Sequence, residues 1–454
     1  MAAHASSIEQ QAGKHLSPEQ IFDVARAREK GLSRLLTTYI VTGLAFMLLP
    51  GTFLGVWNLM QISGHHAATS ISAAWIQAHG HAQVFGWIGS FILGIGFYSL
   101  SKLRRGSPFA LWTAWTCWAM WTSGVLLRWF ANVYLWHWRT LVPFSALLEL
   151  VAFLLFFNAV SGHRPEAKQN GMHVIQAKSA FQEWIIVVVC GTVALMATLV
   201  VNAGAAFYVS LKGVSPAFPH EFDQRFLVLI AWGFMVPFVW GFSARWLPVF
   251  LGLKQPRTRV LLATGAVNII GVIAALGGEF RVAVLLILVA AAMSSIALRL
   301  FEAAQQAPKI IGVHTSFPVF VRVAYIWLVV AAALGVWAAN TGDTAGAWGA
   351  SRHALTVGFI ATMVFCIGQR VLPAFSGMRK LFSPRLMFLG LLLLTIGCIL
   401  RVTTEFLAYQ HFANWAWSWL PASAVLELSG VTVFAINMIA SLVRRPATAA
   451  REMA

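Results

Sequence analysis

The stretch Ala78–Leu100, AHGHAQVFGWIGSFILGIGFYSL, decides how this chain is read. It opens with His79 and His81 and then runs on without a charge. Its length, about twenty residues, is what one helix needs to cross a hydrocarbon core of roughly 30 Å. A second copy lies downstream at 353–375, HALTVGFIATMVFCIGQRVLPAF. A shift of 272 residues, from 81 to 353, brings His81 onto His353, Ala82 onto Ala354, Gly86 onto Gly358 and Gly96 onto Gly368. Gly86, Ser90 and Gly94 fall one helical turn apart and form a close-packing stripe, matched by Gly358, Thr362 and Cys366. At about 100° per residue that stripe lies roughly opposite the histidine. Each helix is therefore expected to pack by its small face and present an imidazole on the other.

The surroundings are those of a membrane protein. Of 454 residues, 59% are hydrophobic and only 10% charged, outside the range of soluble domains. The net charge of +17 does not indicate nucleic acid, because most Lys and Arg stand in short loops between apolar runs. Twelve spans are expected, at 36–57, 79–101, 110–131, 142–161, 182–210, 225–250, 258–278, 282–302, 319–339, 353–375, 386–403 and 420–443. Assigning the connections alternately to two sides puts 21 Lys/Arg on the side of both termini and 4 on the other. That bias predicts cytoplasmic termini in a bacterial inner membrane. Residues 1–35 read as a cytoplasmic segment with a short helix capped by Ser17 and Gln20, 36–443 as the membrane domain and 444–454 as a tail. No cleavable signal is expected, since the first apolar run is long enough to remain in the bilayer. Cys117, Cys190, Cys366 and Cys398 all fall inside spans without metal-type spacing and read as small buried hydrophobes.

The repeat extends to neighbouring spans. PFSALLELVAFLLFF from Pro143 resembles PASAVLELSGVTVFAI from Pro421, and Arg128 in the third span matches Arg401 in the eleventh. A weaker copy links Arg245–Phe250 to Arg370–Phe375 at a shift of 125, which puts Val228 where the histidine stands elsewhere. The twelve spans thus form three groups of four, with the second helix of each group marked.

The expected topology sorts the thirteen histidines. His65, His66, His79, His81, His137, His220, His353 and His411 fall on the non-cytoplasmic side; His4, His15, His163, His173 and His314 do not. His81 and His353 are the leading candidates to ligate a haem iron or copper, the alternative being interfacial residues bonded to backbone. His79 points away from His81 and either serves a second site or frays into the loop. His220, beside Glu221 and Asp223, is a secondary ligand candidate or a polar loop residue; His65 and His66 read as loop residues. Intramembrane charges need partners, so Arg128–Glu149 and Arg401–Glu427 are expected to lock two hairpins, or the arginines to meet haem propionates. Arg245 and Arg370 snorkel, and Trp87, Trp118 and Trp121 pack or flank a planar ligand.

The HxH at the start of the second span, the HALTVG at the start of the tenth and twelve spans without soluble domains resemble the NnrS family. Those are bacterial inner-membrane proteins of the nitric oxide response that contain haem and copper. The resemblance implies cofactor-binding roles for His79, His81 and His353. The run HGHAQ at 79–83, with Gln83, carries no acid where the family pattern, HAHEM, has one, so the resemblance does not carry a proton-transfer role over to this place. The layout is also similar to the catalytic subunit of haem–copper oxidases and nitric oxide reductases, where histidines on the sixth and seventh helices complete the metal centre. This chain has none within 225–250 or 258–278, so dioxygen reduction is not expected. The expected protein is an all-α integral membrane protein that binds haem, with copper as a second metal, and responds to nitric oxide or a related redox signal. His81, His353, His79 and His220 are its candidate ligands, and Arg128 and Arg401 brace the cofactor. Its expected partners are the bilayer, a diatomic gas and an electron donor the sequence does not specify. A cofactor-free transporter and an assembly partner of a respiratory complex are the alternatives.

Overall fold

The computed structural model describes residues 17–103, 109–161, 183–341, 346–375 and 380–443. His4, His15, His163, His173 and the tail 444–454 lie outside them. Among the described residues the fold is all helical, with twelve long helices. We number them α1 (Pro18–Phe46, Met47–Phe53 and Leu54–His65), α2 (Ala73–His81, Ala82–Gly89 and Ser90–Leu103), α3 (Leu111–Tyr134) and α4 (Trp138–Ser161). α5 is Trp184–Lys212, and α6 joins His220–Val228, Leu229–Met235 and Val236–Leu251; α7 is Thr258–Leu276 and α8 Phe280–Ala297. α9 is Phe317–Thr341, α10 joins Gly346–His353, Ala354–Ala361 and Thr362–Phe375, α11 is Pro384–Tyr409 and α12 Ala416–Val443. Eleven of them are long and apolar enough to cross a membrane. α3 falls short because Trp112, Trp115, Trp118, Trp121 and Trp129, with Arg128 and Asn132, lower its mean hydropathy. Apolar side chains such as Val193, Ile273, Ile270 and Ile436 are more than half exposed on these helices, as a lipid-facing surface requires.

The polar leader departs from expectation. Ser17 caps the helix in the predicted capping box, but no break follows: the helix from Pro18 runs into the first span. Nothing in REKGLSRLLTTY terminates a helix.

The chain forms two compact units. The first comprises Met1–Gly51, Gln77–Ser179 and Asn202–Ala217. Within it the small stripe of α2 packs on α1: a Cβ on Gly86 would lie 2.7 Å from Phe46, and one on Gly94 2.5 Å from Tyr39. α3 and α4 pair as a hairpin in which Gly124 lies against the stem of Glu149. The second unit comprises Thr52–Ile76, Ala180–Val201 and Phe218–Ala454. Here Gly358 of α10 packs on Trp327 of α9, and Gly397 lies against Glu427 as Gly124 does against Glu149. In both places a Cβ on the glycine would stand 2.8 Å from the glutamate Cγ.

Among the described residues four helices contain a π-helical turn, at Met47–Phe53, Ala82–Gly89, Leu229–Met235 and Ala354–Ala361. The first holds Pro50, whose missing N–H breaks the ladder. The other three fall on α2, α6 and α10, the second helix of each group, and start at 82, 229 and 354. Those starts are 272 and 125 residues from the third, the offsets of the sequence repeat. His81, Val228 and His353 are each the last residue before the wide turn.

Candidate functional site

A π turn adds a residue to one helical turn, so its carbonyls accept bonds from outside the helix; such turns concentrate at functional sites. In the first group Trp121 Nε1 donates to the Phe85 carbonyl at 2.8 Å, and in the second Asn268 Nδ2 donates to that of Trp232 at 2.7 Å. Both donors stand 36 residues beyond their acceptors, on the third helix of the group. In the third group that register holds Leu393, and Thr362 Oγ1 of the same helix donates to Val357 at 3.2 Å instead.

In the first unit His81 is nearly buried, with 8% of its side chain exposed, and its Nε2–H donates to Oε1 of Glu149 at 2.7 Å. The other carboxylate oxygen accepts from Asn202 Nδ2 at 3.4 Å. The imidazole stacks on Phe85, one turn along, at 4.5 Å and 26°. His79 neither joins it nor frays: its Nδ1–H donates to the Gly51 carbonyl at 2.8 Å, at the π turn of α1, and Gln83 Nε2 reaches the Met47 carbonyl nearby.

In the second unit His353 Nδ1–H donates to the Gly349 carbonyl at 2.9 Å, and the same nitrogen lies 3.1 Å from Oε2 of Glu405. Its Nε2 accepts from Arg401 Nη2 at 3.4 Å. Arg401 also reaches Glu405, one turn along α11, at 3.5 Å. Gly349 makes this possible, since any Cβ there would occupy the Glu405 carboxylate. Arg352 Nη2, next to the histidine, donates to Gln224 Oε1 at 2.6 Å.

Of the expected Arg–Glu hairpin pairs, Arg401–Glu427 is corrected. Glu149 gives its carboxylate to His81 and Asn202, and Arg401 pairs with Glu405 and not with Glu427. The reason is register: each glutamate stem packs on Gly124 or Gly397, one turn short of the arginine. Arg128 is nevertheless 2% exposed and Arg401 7%. Oε1 of Glu427 is shielded from solvent with no hydrogen-bond partner among the described residues.

The remaining candidates are dispersed. His220 is exposed at the first position of α6. His65 donates to the Gln61 carbonyl, and His66 caps α1 in left-handed conformation while stacking on Trp417. Trp118 donates to Thr42, and Trp87 packs at right angles to Phe91. Asn202 and Glu405 were not among the expected site residues. Glu405 carried a signal in its i, i+4 spacing from Arg401; Asn202 had only its isolation in an apolar helix.

The donor set can be tested against the two expected metals. A copper centre in protein takes about three side-chain ligands. The described residues gather no group of three His, Cys, Asp or Glu suited to a metal, so they do not fit copper. A haem brings four nitrogens of its own and needs one or two imidazoles. His81 commits Nε2 to Glu149 and keeps Nδ1 for a ligand, with tautomer and ring plane fixed as ligating histidines require. His353 commits Nδ1 to the Gly349 carbonyl and accepts from Arg401 at Nε2, so it fits a haem iron once Arg401 turns from Nε2 to the ligand. With that exchange these residues fit haem.

Comparison with known proteins bears on the fold. Residues 319–443, which span α9 to α12, match a family described as "Domain of unknown function (DUF8744)". No curated protein matches. Among solved structures, the chain is similar to a haem–copper terminal oxidase determined as a dimer by cryo-EM, with a TM-score of 0.67 at 12% identity, over 92% of this chain and 85% of that one. The chain therefore has a multi-pass membrane fold of the haem–copper oxidase type.

Proposed function

We propose that this chain is a haem-binding membrane protein acting in the nitric oxide response or a related redox process, with His81 and His353 as the residues that would each hold haem iron. The observation that carries this reading is a recurrence: at repeat-equivalent positions of α2 and α10 an imidazole stands directly before a π turn with one nitrogen held by an oxygen acceptor, Nε2 in His81 and Nδ1 in His353. The fold likeness to a haem–copper terminal oxidase and the resemblance to nitric-oxide-response proteins support it. Bound haem would supply one-electron chemistry and affinity for a diatomic gas. The chain's own part is to hold each ring in one tautomer: Glu149 and Asn202 do so for His81, the Gly349 carbonyl and Glu405 for His353. Arg401 adds a cation beside His353 that can meet an anionic edge of the ligand.

The test is the absorption spectrum of the detergent-purified protein with a pyridine haemochrome assay. A Soret band is expected; His81→Ala and His353→Ala should each remove most of it while the protein still inserts. His314→Ala should change nothing, because its ring is bonded to Ser316 and packed on Phe388. A colourless wild-type protein reconstituting no haem would sink the proposal and leave the cofactor-free transporter.

A further inference from the structure

The first group contains a chain of contacts that ends on His81. Trp121 is 1% exposed, and its only ring donor bonds the Phe85 carbonyl at 2.8 Å inside the π turn. Its ring also lies against that of Phe85, with centroids 6.2 Å apart at 45°. Phe85 in turn stacks on the imidazole of His81 at 4.5 Å. Gly89, at the end of the turn, leaves the space that the Trp121 ring fills: a Cβ there would collide with it. Both the backbone of the turn and the aromatic under the imidazole are therefore set by one side chain from α3.

A π turn rotates the helix segment before it relative to the segment after it by about one residue's worth of helix, roughly 100°. His81 is the last residue before the turn, so the state of the turn sets the direction in which its ring leaves α2. The middle group supplies an internal control. Asn268 makes the equivalent bond to Trp232, at the same separation of 36 residues, yet the position before that turn is Val228. The bond is thus part of the helix architecture in both groups, but only in the first does a ligand candidate stand on it.

We propose that Trp121 is a positioning residue for His81, fixing the π turn through Phe85 and so the orientation of the imidazole toward its ligand. The proposal rests on the haem reading for the ligand's identity but not for the orientation. The experiment compares Trp121→Phe with Asn268→Leu in the full chain, using ring-15N-histidine spectra, haem retention through desalting and thermal stability. Where Trp121→Phe folds poorly, replacing Trp121 by benzothienylalanine keeps the shape and removes only the donor. Trp121→Phe should shift the His81 ring signal, assigned by its loss in His81→Ala, and lower haem retention roughly tenfold, the effect typical of groups behind a metal ligand. Asn268→Leu should lower stability and leave both readouts unchanged. If both variants lower stability alike while the His81 signal and haem retention stay as in wild type, the bond is structural only and the proposal is overturned. A shifted His81 signal in a protein that binds no haem would uphold the positioning role while defeating the haem reading.

Discussion

The chemistry of single residues separates what Glu149 does from what Arg128 does. Glu149 is fully buried and 2.7 Å from His81, so removing either partner strands the other away from water. A buried pair broken from one side typically loses about 3–5 kcal/mol. We expect His81→Leu and Glu149→Leu each to lower the detergent melting temperature, and the double variant to regain part of the loss. Arg128→Leu combined with Glu149→Leu should show no such recovery; if it does, the ion pair expected from sequence exists after all. In the second unit the decisive atom is one that is missing. Gly349→Ala places a methyl where the Glu405 carboxylate lies, which should cost about 1–3 kcal/mol by overpacking and detach Glu405 from His353. Unchanged stability together with an unchanged His353 ring signal would contradict that geometry. Sequence pattern pointed to His81 and His353 because they recur, but it paired charges by span order alone. It had no access to the register at which Gly124 and Gly397 seat the glutamates.

At the level of elements, the repeat was legible to the residue while its meaning was not. Offsets of 272 and 125 taken from histidines and an Arg–x–Leu–Pro motif locate the π turns of α2, α6 and α10. A wide turn has no compositional mark of its own, since AQVFGWIG and ALTVGFIA read as ordinary apolar helix. The helix that sequence and hydropathy treat differently is α3. Its tryptophans are chosen for contacts: Trp118 bonds Thr42 and Trp121 bonds Phe85. A charge inside a span opposes insertion unless it is compensated, and α3 carries the buried Arg128 six residues before its end. In a glycosylation-mapping assay Leu111–Tyr134 alone should insert poorly, and fused to α4 it should insert as a hairpin. Efficient insertion of the isolated segment would show that its tryptophans compensate without a neighbour.

For the whole molecule, composition and loop charge carry a topology that the helices now bound. Lys254 and Lys309 stand in connections that the 21-to-4 bias assigns to the cytoplasm, together with Lys380, and Ser70 in one assigned to the other side. Reporter fusions at these four places should divide accordingly; a single inversion would end the twelve-span assignment. The cysteines make a finer version practical. Cys117, Cys366 and Cys398 are buried, Cys190 is half-buried within α5, and the Cys117 thiol donates to the Ala152 carbonyl. Water-soluble maleimides react with thiolates that water can reach, so all four should be silent toward them. Single reporter cysteines can then be introduced on the native background, each reading out the sidedness and depth of one loop without first stripping the protein of its own thiols.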